Sequence, residues 1–413
     1  MKLDSVLGRA FLSVAGMGVQ GVARFVYTLL IGRIAGPETL SDITSLLSLA
    51  IYLSLFWPAG AAQAAARYLP LPQQAASSFR ILLHSFWLAS TVLALCAFPL
   101  ALWLSHDPLT AAACAFFVFC HNAYVFTRGV LVGQDRLVRA VVGDTLSSLL
   151  SLTLLLLVIL AGLSSALLLP LAFGYLLFAL LALHRQHTGS RDTAHRREIL
   201  IFTRDATLGA LVTGGLLPAT MIFVRAFDTS RDAGMFAAAL TLATPLNMVA
   251  QALNQVLLPH FTRLRADPEE QQRSHNRILL LTAVGFSLGF GLLILLAPWL
   301  MTTIYGPQYS DGTLAMQVLL VIVLLFSINA APSAQLLATG RQKTYARVWL
   351  IAFAVGTLVM LVASPVWGQW GALLGFGLGG GGGSLAIVAL GYRRPAHAVL
   401  HDDERREEHR TDD

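Results

Sequence analysis

The chain has 413 residues, of which 56% are hydrophobic and 12% charged, against the roughly 25% charged residues of a soluble globular protein. That balance excludes a soluble enzyme and a nucleic-acid-binding domain, and the net charge of +6 has to be read by the side of a membrane it occupies. The three cysteines, Cys96, Cys114 and Cys120, lie inside apolar runs and indicate buried thiols, not a disulfide framework.

The apolar runs are long and do not alternate, so they predict helices and not a barrel. In chain order about twelve spans are expected, at 10–33, 40–66, 81–104, 108–132, 140–162, 165–186, 202–224, 234–258, 278–303, 313–338, 344–364 and 368–391. The first segment lacks a small-residue cleavage site and is too long for a signal-peptide core, so it is expected to be a retained helix. The connections on one side carry 24 Lys and Arg, and those on the other only Arg33, Arg225 and Arg231. This asymmetry predicts both termini in the cytoplasm. The tail at 393–413 mixes charges of both signs without an apolar face and reads as a disordered cytoplasmic end.

A six-plus-six count invites a search for a repeat. Arg33, Ile34, Ala35 and Gly36 follow the first segment, and Arg231, Asp232, Ala233 and Gly234 the seventh. Gly133 with Gln134, Asp135 and Arg136 joins segments four and five, as Gly340 with Arg341, Gln342 and Lys343 joins ten and eleven. These matches predict an N-terminal six-helix lobe at 1–186, a cytoplasmic link at 187–201 and a C-terminal six-helix lobe at 202–392.

Several stretches carry a family resemblance: RFVYTLLIGRIAGPETLSDITSLLSLA early, GMFAAALTLATPLNMVAQALNQVLLPHFTRL in the eighth segment, APWLMTTIYGPQYSDGTLAMQVLLVIVLLF before the tenth, then LLATGRQKTYARVWLIAFAVGTLVMLV and WGQWGALLGFGLG. Here the chain resembles the multidrug/oligosaccharidyl-lipid/polysaccharide (MOP) flippase superfamily, in its Wzx-like polysaccharide transporter branch. It departs from that pattern at Ser41 or Asp42, where a Gly commonly opens the second helix. The resemblance implies an all-α polytopic membrane protein, with two six-helix lobes around a central cavity, that moves lipid-linked sugars by alternating access.

Candidate site residues follow from the cost of polar groups at membrane depth. Arg24 lies near the middle of the first segment, with Gln20 one turn before and Thr28 one turn after, a polar stripe on one face. It either pairs with a carboxylate or snorkels, or it lines the cavity as an anion contact, where the planar guanidinium fork suits a diphosphate. Arg33 and Arg225 at outer helix ends are snorkelling residues or exit contacts for the same group. Arg67, Arg128 and Arg204 at inner ends are anchors or an entry funnel. In the eighth segment Thr244, Asn247, Gln251, Asn254 and Gln255 recur at helical spacing, as interhelical glue or as contacts for sugar hydroxyls. Gln63, Asn329 and Gln335 are weaker candidates of that kind. Asp144 and Asp205 are the acids nearest the membrane, for coupling to H⁺ or Na⁺ or for pairing with Arg139, Arg136 or Arg204. His121 and Asn122 read as buried polar contacts or a proton relay. Pro58, Pro218, Pro245 and Pro332 are expected to interrupt their helices. Gly379 to Gly383 suits close helix approach, since no strand precedes it and no phosphate-binding Lys-Ser/Thr follows.

The leading expectation is a bacterial inner-membrane flippase carrying an undecaprenyl-diphosphate-linked oligosaccharide from the cytoplasmic to the periplasmic leaflet for cell-surface polysaccharide synthesis, with no cofactor, no metal and no nucleic acid. Its partners would be that substrate, membrane lipids, a coupling H⁺ or Na⁺, and a polysaccharide polymerase or glycosyltransferases. A cation antiporter of the multidrug branch is the alternative; it would favour acidic and aromatic cavity residues. An O-antigen polymerase or ligase is a third, disfavoured by the short outer connections.

Overall fold

The structure is a computed structural model, and it describes residues 6–71, 75–183, 195–264 and 267–392. Among the described residues it is helical, without strands. The first helical segment, α1 (Val6–Ser54), has 49 residues, roughly 74 Å if it ran straight and far more than one bilayer crossing. It does not run straight, because Gly36 takes φ 88 and ψ 176, a conformation open to glycine, and Pro37 then starts the second arm with a preset helical φ and no stranded N–H. Residues at equal distance on either side of Gly36, namely Thr28 and Thr44, Arg24 and Ser48, and Gly21 and Ile51, line one cavity. The second arm therefore folds back along the first.

After a bend of 48° the second arm continues as α2 (Pro58–Tyr68). Then come α3 (Ala75–Ser105), α4 (Pro108–Gly133), α5 (Leu137–Leu160) and α6 (Leu169–Leu183). The Asp107 carboxylate caps α4, accepting from the amides of Leu109 and Thr110 at 3.2 and 2.9 Å, which satisfies two of the amides a helix start leaves open. In the second half, α7 (Arg196–Gly214) and α8 (Leu216–Phe227) form one crossing bent by 59°. They are followed by α9 (Ser230–Arg263), α10 (Pro268–Leu300), α11 (Thr313–Ile328), α12 (Ala330–Ala338), α13 (Gln342–Trp367), α14 (Gln369–Phe376) and α15 (Gly382–Tyr392). A π-turn at Met301–Tyr305 and a 3-10 turn at Pro307–Gly312 join α10 to α11.

Among the described residues, eight helical stretches are long and apolar enough to cross a membrane, and ten when each bent pair counts as one. The reversal at Gly36 makes two crossings of α1, and α9, with 34 residues, is about 51 Å long and sufficient for another. The chain is an all-α, multi-pass membrane protein. Pro58, Pro218 and Pro332 each stand in the first turn after a break, where a proline leaves no helical carbonyl unpaired. At Pro245 the helical assignment of α9 continues, and the side chains around it lie outside the described residues.

The buried core divides between two lobes. One cluster joins Tyr27, Phe117, Leu155 and Tyr175 of the first half; another joins Phe236, Phe290, Leu319 and Phe376 of the second, with Leu40 as its contribution from the first. Within the second lobe α13 and α14 approach through small residues: a Cβ at Gly375 would stand 2.7 Å from the Gly356 carbonyl oxygen. Without a hydrophobic drive between helices in lipid, such backbone proximity supplies the packing.

The lobes meet where α1 packs on α8 and α9, and where α2 packs on α7. The boundary expected at 202 falls inside α7, whose first turns are built into the first lobe. Ile199 is buried in a cluster with Tyr68, Phe79 and Leu82, the Arg67 guanidinium lies 4.5 Å from the Phe202 ring centre, and Tyr68 donates to Glu198 at 3.1 Å.

The repeated tetrapeptides do not occupy equivalent places. Gly36 is the corner itself, whereas Gly234 lies one turn into α9, where a Cβ would come within 2.0 Å of the Pro37 carbonyl oxygen. In the second match the equivalent of Gly340 (φ 79) is Asp135 (φ 56), two residues beyond Gly133. Both corners are closed by the same bond, Arg136 N–H to the Leu131 carbonyl and Arg341 N–H to the Leu336 carbonyl, each 2.9 Å.

Candidate functional site

A cavity of about 380 Å³ lies between the lobes, lined by both arms of α1, the α7–α8 bend, α9, α11 and α14. Of the three arginines expected at a diphosphate site, only Arg24 reaches it. Its Nη2 donates to the Tyr175 hydroxyl at 3.4 Å, its Nε is buried with no partner, and no carboxylate pairs with it. Placing that charge at membrane depth costs about 2.5–3.5 kcal/mol on insertion scales. An oxyanion entering the cavity would offset this.

The other cavity hydroxyls are largely committed. Thr28, Thr213, Thr241 and Thr244 donate to carbonyls of their own helices at 2.7–3.0 Å. Thr44 on the second arm of α1 is different: its hydroxyl is buried and has no partner. Sequence reasoning missed it, although Ser41, Thr44, Ser45 and Ser48 form a hydroxyl stripe at helical spacing on that arm. Among the described residues, no Asp or Glu lines the cavity.

Arg33 and Arg225 lie away from the cavity, at the end of the molecule marked by Gly36. Arg33 donates to the carbonyls of Thr303 and Ile304 at 2.9 and 2.8 Å, groups left open at the end of α10. Arg225 on α8 is ion-paired with Asp42 on the second arm of α1, Nη2 to Oδ1 2.8 Å. The Tyr309 hydroxyl donates to the Gly32 carbonyl at 2.8 Å. Four contacts thus close the lobes together at this end: these three, and Gly234 against Pro37.

Gln20 donates to the Ser147 hydroxyl at 2.6 Å, so it ties α1 to α5 and does not line the cavity. Thr244 lines the cavity. Asn247, Gln251, Asn254 and Gln255 continue along α9 beyond it, and their side chains lie outside the described residues. Asp144 is fully buried and paired with Arg128, Oδ2 to Nε 3.4 Å, with a hydrogen bond from Tyr124 at 3.0 Å. The partners expected from sequence were Arg136 or Arg139; Arg139 instead donates to the Leu181 carbonyl at 2.5 Å. Asp205 is exposed and pairs with its neighbour Arg204 at 2.9 Å. His121 and Asn122 are buried, His121 beside Phe117 and Tyr175. Gln63 is exposed, Asn329 accepts from Ser333, and Gln335 donates to Gln272 at 2.9 Å.

This fold and cavity define a membrane protein with a ligand-sized chamber between two helical lobes, whose described lining carries a cation, Arg24, and no acid. The chain belongs to the family described as polysaccharide biosynthesis protein, whose profile matches residues 33–314. Solved structures share its fold at low identity. The lipid II flippase MurJ in an inward closed conformation aligns with 94% of this chain and 89% of its own, at TM-score 0.76 and 15% identity. A multidrug resistance MATE family transporter in an inward-facing conformation aligns over 92% and 97%, at TM-score 0.67 and 15% identity. A MOP superfamily transporter from Pyrococcus furiosus Vc1, described by a reversed polarity of its binding pocket, aligns over 92% and 93%, at TM-score 0.57 and 15% identity. A search of curated proteins returns no match.

Proposed function

We propose that this protein flips an undecaprenyl-diphosphate-linked oligosaccharide across a bacterial inner membrane by alternating access, for cell-surface polysaccharide synthesis. The observation that carries this reading is Arg24, a cation in the interlobe cavity with a free Nε and no acid on the described lining. Its planar fork donates to neighbouring oxyanions. A cationic drug would need the opposite lining, so the multidrug antiporter reading loses support. Glycosyltransferases supply such a substrate and a polymerase consumes the product.

The division of basic residues supports cytoplasmic termini, which puts the closed Gly36 end on the periplasmic side. Arg33 and Arg225 then serve as closure contacts and not as diphosphate ligands. The amides of α9 are proposed to meet the sugar on the cytoplasmic side of Thr244. Asp144 and Asp205, each neutralised by an arginine, are read as structural.

Complementation of a flippase-deficient strain, read as surface polysaccharide with membrane abundance measured in parallel, tests the reading. Arg24→Ala is expected to abolish export at normal abundance, Arg24→Glu to do the same, and Arg24→Lys to retain part of it. Full export by Arg24→Ala at normal abundance would overturn it.

A further inference from the structure

Both sides of the cavity carry apolar residues, among them Phe25, Leu47 and Ile51 on the first lobe, and they differ in where the unpartnered polar atoms lie. On the first-lobe side, the arms of α1 present the Arg24 Nε and the Thr44 hydroxyl, both buried and without partners. On the second-lobe side the lining is Leu216, Leu240, Val323, Phe326 and Phe376, and the threonines among them have their hydroxyls bonded within α9.

Leu216, Val323 and Phe376 are each at most 3% exposed, backed by the second-lobe core. Phe326 is the more open ring, packed behind against Trp349 at 5.2 Å and Phe376 at 6.4 Å between ring centres. A polyprenyl tail would need a slot leading out to the bilayer. A compact ring needs only a face, and 380 Å³ is at the lower end of the ~300–1000 Å³ in which proteins enclose a small ligand.

Resting on the head-group reading above, we infer that the cavity holds the substrate across its width: the oxyanion at Arg24 and Thr44, and the apolar C–H face of the first sugar on Phe326, which makes Phe326 a specificity-determining residue. The sugar contributes hydroxyls at its rim and carbon-bound hydrogens on its face, and the ring's negative face attracts the latter. Aromatic contacts of this kind are worth roughly threefold to tenfold in affinity.

The test uses the purified full-length protein and two probes of equal tail length: a polyprenyl diphosphate, bare or carrying one hexose from a panel of glucose, galactose and N-acetylglucosamine. The wild type should bind at least one hexose adduct about threefold to tenfold more tightly than the bare lipid. Phe326→Leu should erase that preference while the folded variant, verified by its melting transition, still binds the bare lipid; Phe326→Trp should restore it. Arg24→Ala should lose both probes. A wild type without preference, or a preference that survives Phe326→Leu, overturns the proposal. So does an equal loss of both probes in Phe326→Leu, which would put tail and not sugar on the ring. A wild type that binds neither probe overturns the head-group reading itself, and this inference with it.

Discussion

Adding one methyl group at Gly234 should open the Gly36 end of the protein. A Cβ there would stand 2.0 Å from the carbonyl oxygen of Pro37, 2.5 Å from its carbonyl carbon and 2.8 Å from its Cα. All three atoms are backbone, held by the corner at Gly36, and α9 is a continuous helix, so neither side can yield by rotating a side chain. Relief requires the two elements to part. Overpacking of this kind costs about 1–3 kcal/mol, and because it acts only while this end is closed, it shifts the balance toward an open end by roughly 5- to 150-fold. Spin labels at Glu38→Cys and Ser310→Cys, both exposed positions on opposite sides of the closure, report the separation. Gly234→Ala should move the distance distribution to longer values, whereas Gly289→Ala, with nothing within 4 Å of its added Cβ, should not. An unchanged distribution in Gly234→Ala would refute the idea that this contact holds the lobes together.

Three further outcomes are expected. Thr44→Val should leave thermal stability within about 0.5 kcal/mol, because its hydroxyl has no bond to lose, and should weaken polyprenyl diphosphate binding; normal binding would remove Thr44 from the site. Arg128→Ala should destabilise the first lobe by about 3–5 kcal/mol in denaturation of the purified protein, because it leaves the buried Asp144 carboxylate without its ion pair, while Arg136→Ala should be near neutral. Tyr309→Phe should cost about 0.5–1.5 kcal/mol by the same measurement, through the lost bond to the Gly32 carbonyl, and an unchanged stability would remove that bond from the closure contacts.

Much of the fold was legible because the bilayer imposes it: apolar runs of sufficient length must become helices, and three of the four prolines mark real breaks. Arg24 was legible too, as a charge in a segment that offers it no acid at matching depth. The partners of the other charges were not. Arg225 finds Asp42, 183 positions away, and Asp144 finds Arg128 one helix earlier and not the nearer Arg136 or Arg139; such choices depend on which helix faces turn toward each other, and a linear pattern does not encode that. The glycines illustrate the same limit. Gly36 and Gly234 looked like copies of one repeat, yet one is needed for its backbone angle and the other for its lack of a Cβ.

The seating of α7 bears on how the chain is made. Tyr68, Phe79 and Leu82 are complete as a core only once Ile199 and Phe202 arrive, so the first lobe cannot finish packing on the ribosome until the start of the second has been synthesised. Two fragments split at 202 would each carry half of an unfinished helix, and a split after Gly214, where the chain already bends, is the division from which co-expressed halves should reassemble.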